Sequence, residues 1–146
     1  MISNSQNATM LLVEDDPGHA RLIEKNLRRA QVMNKLVLLQ DGHQAINYLF
    51  GVNHPQLDPG SWSLVLVLLD LNLPGLDGFQ VLERLKSDPR PSHIPVIVLT
   101  TTDDPYEVQR CYDLGCNIYV VKPVEYTQFS ETIQKLGRFL SVVTIP

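Results

Sequence analysis

The chain has 146 residues, of which 44% are apolar and 19% charged, with a formal net charge of −4. These figures fit one globular domain with a proper core and exclude the basic footprint of a nucleic-acid-binding protein. The longest apolar stretch, residues 64–69, is too short to cross a membrane, and MISNSQNAT has neither the basic start nor the apolar run of a signal peptide, so a cytoplasmic address is expected.

In chain order, residues 9–13 predict a first strand. Asp16-Pro17 predicts an N-cap with proline at the first helical position, and Ile23, Leu27 and Ala30 carry a helix over about 17–31. A second strand covers 36–39 and ends at Asp41-Gly42, after which Ala45, Ile46, Leu49 and Phe50 outline a short second helix. Between 51 and 63, Pro55, Pro59 and Gly60 interrupt any period. Connections in α/β units usually take roughly 2–6 residues, so this is either a functional loop or a surface insertion. The third strand, 64–69, is continuously apolar, as a central strand covered on both faces should be. LPGLDG forms a turn with Asp77 as a cap, and Phe79, Leu82 and Leu85 carry a third helix to about Ser87.

Pro89 and Pro91 close that helix, 96–99 form a fourth strand, and a short helix over about 105–113 stops at Gly115. A fifth strand spans 118–121, and Phe129, Ile133, Leu136, Leu140 and Val143 step by four and three along a last amphipathic helix. The alternation predicts an α/β fold: a flavodoxin-like, doubly wound, five-stranded parallel sheet of order 2-1-3-4-5 with five helices. Residues 1–146 are expected to form a single domain, with 1–8 a flexible tail and 134–146 the end of the last helix and an apolar tail. Cys111 and Cys116 lack zinc spacing and are expected to be reduced, packed thiols. His19, His43, His54 and His93 lie in different segments, which predicts loop or surface roles.

Chemistry gathers at the strand ends. Glu14 and Asp15 follow the first strand, Asp70 the third, Thr100 the fourth and Lys122 the fifth. In open α/β sheets ligands bind beyond the carboxyl ends of the strands, so one fold brings all five groups together. Three carboxylates at close range repel, which raises their pKa values unless a cation neutralises them. Hard oxygen ligands of this kind suit Mg²⁺. A carboxylate nucleophile can carry a phosphoryl group, and a metal with a lysine offsets the charge of its transfer. Each group alone also has a plain role as a cap or a solvated turn. Together, in order and at successive strand tips, they point to an aspartyl phosphate site.

The stretches LLVEDD, LLDLNLPGLDGF, IPVIVLTTTDD and YVVKPVE strongly resemble the receiver domain of two-component response regulators, over about residues 9–133. The resemblance implies that Asp70 accepts phosphate from a sensor histidine kinase. It implies Mg²⁺ bound by Asp15, Asp70 and the backbone carbonyl of Asn72, with Glu14 supporting through water. Lys122 would pair with the phosphoryl group, and Thr100 would bond to it after a small inward movement. Tyr119 matches the aromatic whose rotamer follows that movement. Thr101 departs from the small residue usual after the switch hydroxyl, although its backbone N–H can still contact the phosphoryl group. Asn72 and Thr102 occupy positions that tune phosphate lifetime in the family.

A narrower likeness, carried by the long loop, the TTT stretch, CYDLGCNIYVVKPVE and FLSVVTIP, is to the response regulators of cyanobacterial phytochromes. It implies a phytochrome-type kinase partner and a homodimer, while charge and hydropathy give the expectation of no nucleic-acid and no membrane partner. The apolar end, Val142, Val143 and Ile145, either folds back onto its own subunit or packs in a dimer, with the dimer favoured. Two rivals are a pseudo-receiver that docks partners without phosphorylation and a Mg²⁺-dependent phosphatase-like hydrolase. The hydrolase needs a second carboxylate two residues after its nucleophile, where Asn72 stands, and the pseudo-receiver needs no complete set of five site residues.

Overall fold

The computed structural model describes residues 3–4, 9–50, 65–88, 94–140 and 144–145. The 51–63 loop with Trp62, the helix-closing Pro89 and Pro91, and Val142 and Val143 lie outside the described residues. The elements are β1 (Ser3–Asn4), β2 (Thr9–Val13), α1 (Pro17–Arg29), β3 (Leu36–Leu39), α2 (Gly42–Phe50), β4 (Val65–Leu69), α3 (Gly78–Ser87), β5 (Val96–Thr100), α4 (Pro105–Asp113), β6 (Ile118–Val121), α5 (Tyr126–Leu140) and β7 (Thr144–Ile145). The main sheet runs β3-β2-β4-β5-β6 with every pair parallel. Counted within that sheet alone the order is 2-1-3-4-5, with five helices, as the alternation of elements predicts.

Side-chain alternation divides the core in two. Leu11, Val13, Val67, Leu69, Val96 and Val98 pack with Ala45, Leu49, Phe79, Leu82, Leu85 and Cys111, which come from α2, α3 and α4. Met10, Leu12, Leu66, Leu68, Ile97 and Leu99 pack on the other face with Ile23, Leu27, Phe129, Ile133, Leu136 and Leu140 from α1 and α5. β4 and β5 are buried at every position, which is why their sequences are unbroken apolar runs. Truncating one such side chain, Leu68→Ala for example, costs roughly 2–5 kcal/mol.

Local signals set the helix ends. Asp16 caps α1, its Oδ1 accepting from the backbone N–H of Gly18 (2.8 Å) and His19 (3.1 Å). The helix ends at Arg29, two residues earlier than the apolar period suggests, because Gln31 takes a left-handed φ of 68°. The Val32 N–H then bonds back to Leu27 O, satisfying a terminal carbonyl as such caps do. Asp77 and Gln80 form a reciprocal capping box on α3, both bonds 2.9 Å. α3 starts flush against the segment that carries Asp70: a Cβ on Gly78 would lie 2.4 Å from the Asp70 carbonyl oxygen. Only glycine permits that approach.

On the opposite face, Asn26 is fully buried between α1 and α5. It donates to Leu22 O and Ser130 Oγ and accepts from Gln134 Nε2, so the two helices are held in register by a satisfied polar cluster. The chain ends also meet: β1 pairs antiparallel with β7, Ser3 opposite Ile145 and Asn4 opposite Thr144. The end of the chain therefore has a partner strand in its own subunit, the fold-back alternative for that segment. Among the described residues no helix is long and apolar enough to cross a membrane.

Candidate functional site

β2, β4, β5 and β6 point the same way, and their registers set Val13 beside Leu69 and Thr100 beside Val121. The residues that follow are neighbours for that reason. Alternation continues past the strands. Met10, Leu12, Leu66, Leu68 and Val120 face α1 and α5. Glu14, Asp70 and Lys122, two residues further on, share their parity and converge on that side.

Lys122 is the centre of the convergence. Its side chain is about 1% exposed, and Nζ donates to Glu14 Oε1 in a short bond and to Asp70 Oδ2 at 3.0 Å. Asp70 Oδ1 accepts from the Asn72 N–H at 3.1 Å, so both carboxylate oxygens are engaged. Glu14 Oε2 also accepts, at 3.3 Å, from the Asp16 N–H. Burial pushes the Glu14 carboxyl up to about 7, with the Lys122 hydrogen bond and charge pulling it back and the Asp70 charge adding a smaller push. Carboxylate repulsion is thus a lesser cause than desolvation, the reverse of the weight that spacing alone assigns it.

The three acidic residues remain close enough to share a cation. Glu14, Asp15 and Asp70 each present one oxygen, and those oxygens lie within 4.8 Å of one another. Glu14 and Asp70 are buried while Asp15 is exposed. An all-oxygen set with one solvent-facing member fits Mg²⁺, which keeps several waters when bound. Lys122 supplies one positive charge against three negative ones, and a divalent ion balances the remainder.

Thr100 is fully buried, and its Oγ1 has no hydrogen-bond partner. A buried orphan hydroxyl is rare enough to need a cause, and a site that awaits an acceptor oxygen supplies one. Thr101 is exposed and lines a cavity of about 400 Å³ with His19, Lys122, Pro123 and Phe129. Tyr119 is half-buried, and its hydroxyl donates to Thr102 O at 2.6 Å, two residues past Thr100. The Tyr119 N–H in turn donates to the Tyr112 hydroxyl of α4 at 3.2 Å. Burial holds the Tyr119 phenol up at about 12. Cys111 and Cys116 are free and buried, and burial pushes the Cys111 thiol up to about 12, so both behave as packed thiols.

The expected residues fall into two groups around this site. Glu14, Asp15, Asp70 and Lys122 are brought together directly, whereas Tyr119 is tied to the segment after Thr100. One participant was not foreseen. His19 lies 3.4 Å from Lys122 Nζ and 3.8 Å from Glu14 through its Nδ1, and its ring packs on Phe129 with centroids 5.5 Å apart. A surface role is the natural expectation for a lone histidine. Its place in the first turn after the Asp16 cap was the available signal, since that turn returns over the strand end.

Residues 10–134 match the family described as response regulator receiver domain. The response regulator Rcp1 of Synechocystis sp. (strain ATCC 27184 / PCC 6803 / Kazusa) is 35% identical over 138 residues, covering 94% of this chain and 92% of Rcp1. The Mn(2+)-bound form of Rcp1 superposes with a TM-score of 0.84 at 32% identity, over 95% of this chain and 99% of that one. A response regulator receiver domain from Rhodospirillum rubrum gives a TM-score of 0.87 at 50% identity, over 95% and 97% of the two chains. The phosphorylated cyanobacterial phytochrome response regulator RcpA gives 0.84 at 34% identity, over 96% and 99%. The strand-end carboxylates and lysine, the 2-1-3-4-5 sheet and these matches agree: the chain belongs to the response regulator receiver-domain family and is related to the phytochrome response regulators.

Proposed function

We propose that this chain acts as a response regulator whose Asp70 accepts a phosphoryl group from the phosphohistidine of a sensor histidine kinase. The observation that carries the proposal is the buried Lys122 ammonium held against Asp70 within a cluster of three carboxylates. An Asp70 carboxylate oxygen attacks phosphorus and forms the new P–O bond. The P–N bond to the kinase histidine breaks, and the imidazole keeps that electron pair and takes up a proton. Lys122 exchanges part of its contact with Asp70 for a phosphoryl oxygen, and the Thr100 hydroxyl gains the acceptor it lacks. The Thr101 backbone N–H is the further donor assigned to the phosphoryl group, and Tyr119 follows the movement of the Thr100 segment. Glu14, Asp15, Asp70 and the Asn72 carbonyl are the residues that would hold Mg²⁺. The ion supplies charge compensation during transfer.

The chain is on this view a phosphoacceptor, not a turnover enzyme, and it acts through protein contact in the cytoplasm. The likeness to the phytochrome response regulator RcpA supports a phytochrome-type kinase as the donor, and the Mn(2+)-bound Rcp1 structure supports a divalent ion. Tyr106, Tyr112, Val121 and Phe139 are exposed on α4, β6 and α5, which supports that face as the output surface and as a homodimer contact. The test is incubation with Mg²⁺ and acetyl phosphate, followed by intact mass measurement. One phosphoryl mass is expected on the wild type and none on Asp70→Asn. No gain on the wild type, or an equal gain on Asp70→Asn, would overturn the proposal.

A further inference from the structure

We propose, on the basis that Asp70 is the phosphoacceptor, that His19 is a positioning residue for that transfer: its Nδ1 is the third acceptor that aims the Lys122 ammonium at Asp70. A lysine ammonium has three N–H donors and no lone pair. One N–H of Lys122 goes to Glu14 and a second to Asp70 Oδ2 at 3.0 Å. Among the described residues, a further polar neighbour is His19 Nδ1 at 3.4 Å. Because the ammonium can only donate, this contact is a hydrogen bond when Nδ1 accepts and the ring proton sits on Nε2, which lies 3.9 Å from Asp16 Oδ2.

The imidazole is itself held in place. Its backbone N–H is fixed by the Asp16 cap at 3.1 Å, and its ring rests on Phe129, which is buried. The charged groups around it are Glu14 and Asp16 from the same end of β2 and Lys122 from the end of β6, with Asp70 beyond the lysine. Two carboxylates share the ammonium, and one of them, Glu14, is not the nucleophile. Lysine has a flexible four-carbon stem, so two acceptors on one side leave the ammonium free to turn toward Glu14. A third acceptor on the α1 side makes a tripod that keeps one N–H directed at Asp70.

The two amide replacements separate this role from ring packing. Asparagine places an amide where Nδ1 stands, whereas glutamine places it where Nε2 stands. Phenylalanine keeps the ring on Phe129 and removes the acceptor. The rate of Asp70 phosphorylation by acetyl phosphate with Mg²⁺ is measured by intact mass at about pH 8, where an ordinary imidazole is neutral. His19→Phe and His19→Gln should be roughly 3- to 10-fold slower than wild type, the effect of losing one modest hydrogen bond to a charged group, while His19→Asn stays within about twofold. In a Lys122→Ala background the three His19 variants should phosphorylate at one rate, as expected when the histidine acts only through the lysine.

Urea midpoints report folding of each variant. If His19→Phe fails to fold, the Asn-to-Gln rate ratio still decides, since both are short polar amides. A His19→Phe rate within twofold of wild type, or equal rates for His19→Asn and His19→Gln, would overturn the positioning role while leaving Asp70 as acceptor. A wild type that gains no phosphoryl mass would remove the acceptor itself, and the positioning role with it.

Discussion

Replacing Thr100 by valine should move the stability of the unphosphorylated and phosphorylated proteins in opposite directions. The Thr100 hydroxyl is fully buried without a partner. Leaving a hydroxyl in that condition costs about 1–3 kcal/mol. Valine puts a methyl in its place, which adds about 0.8 kcal/mol of apolar burial and suits a strand. Some relaxation around the new methyl offsets part of this, so a net gain of about 1–2 kcal/mol is expected without phosphate. With a urea m-value of about 2 kcal/mol/M, the midpoint should rise by about 0.5–1 M. On the proposed function, the hydroxyl of the phosphorylated protein would donate to a charged oxygen, an interaction of about 1.5–3 kcal/mol that valine cannot make. Urea curves with Mg²⁺, with and without acetyl phosphate, read both effects. A fall in the unphosphorylated midpoint of Thr100→Val would refute the reasoning, because it would mean the hydroxyl already has a partner.

Two further outcomes test the metal site and the switch residue. Asp15→Asn should leave metal-free stability within about 0.5 kcal/mol, since the side chain is exposed, yet abolish the Mg²⁺-dependent rise in Tm seen in the wild type; an undiminished rise would exclude Asp15 from the ligand set. Burial raises the Tyr119 phenol from its ordinary 10.0 to about 12, so the folded protein holds a proton there that the unfolded chain loses. The stability this contributes is present below pH 10 and is lost as pH rises through about 12. Cys111, raised from 9.0 to about 12, acts in the same direction from a lower starting pH. Tyr119→Phe should therefore flatten the decline of Tm between pH 10 and 12 without abolishing it, and an unchanged slope would show that the phenol does not resist ionisation.

The fold was legible because its signals are local or periodic. Strands buried on both faces must be apolar throughout, so VLVLL and VIVLT announce themselves. Asp16-Pro17 and Asp77 marked helix starts because unpaired N–H groups demand an acceptor there. What was not legible depends on which way a side chain turns. Glu14 and Asp15 are adjacent acids of equal chemistry, and only continuation of the β2 alternation decides that Glu14 turns inward to Lys122 while Asp15 faces solvent. His19 was missed for the same reason, since its neighbour across the site is 103 residues away along the chain. The pairing of Ser3–Asn4 with Thr144–Ile145 is two residues long and carries no apolar period to betray it.

The charges at the strand ends explain why these polar groups are held in such different states. Lys122 Nζ has Glu14, Asp70 and His19 as polar neighbours, whereas the Thr100 hydroxyl has no hydrogen-bond partner. On the proposed function, a phosphoryl group on Asp70 would reverse both conditions at once. It would add oxygens that can accept a hydrogen bond from Thr100, and it would draw the ammonium away from Glu14. Neither change alone would be decisive, because each is a single hydrogen bond of about 1–3 kcal/mol. Acting from β5 and β6 on either side of one oxygen cluster, they add, and a shift of a few kcal/mol is enough to reverse a two-state equilibrium. Tyr119 connects these two strands: its side chain bonds to the segment after Thr100, and its backbone N–H bonds to Tyr112 on α4. On the proposed function, a movement of Thr100 toward a phosphoryl oxygen would act on the Tyr119–Thr102 bond, and through Tyr119 and Tyr112 it would reach the exposed face of α4, β6 and α5.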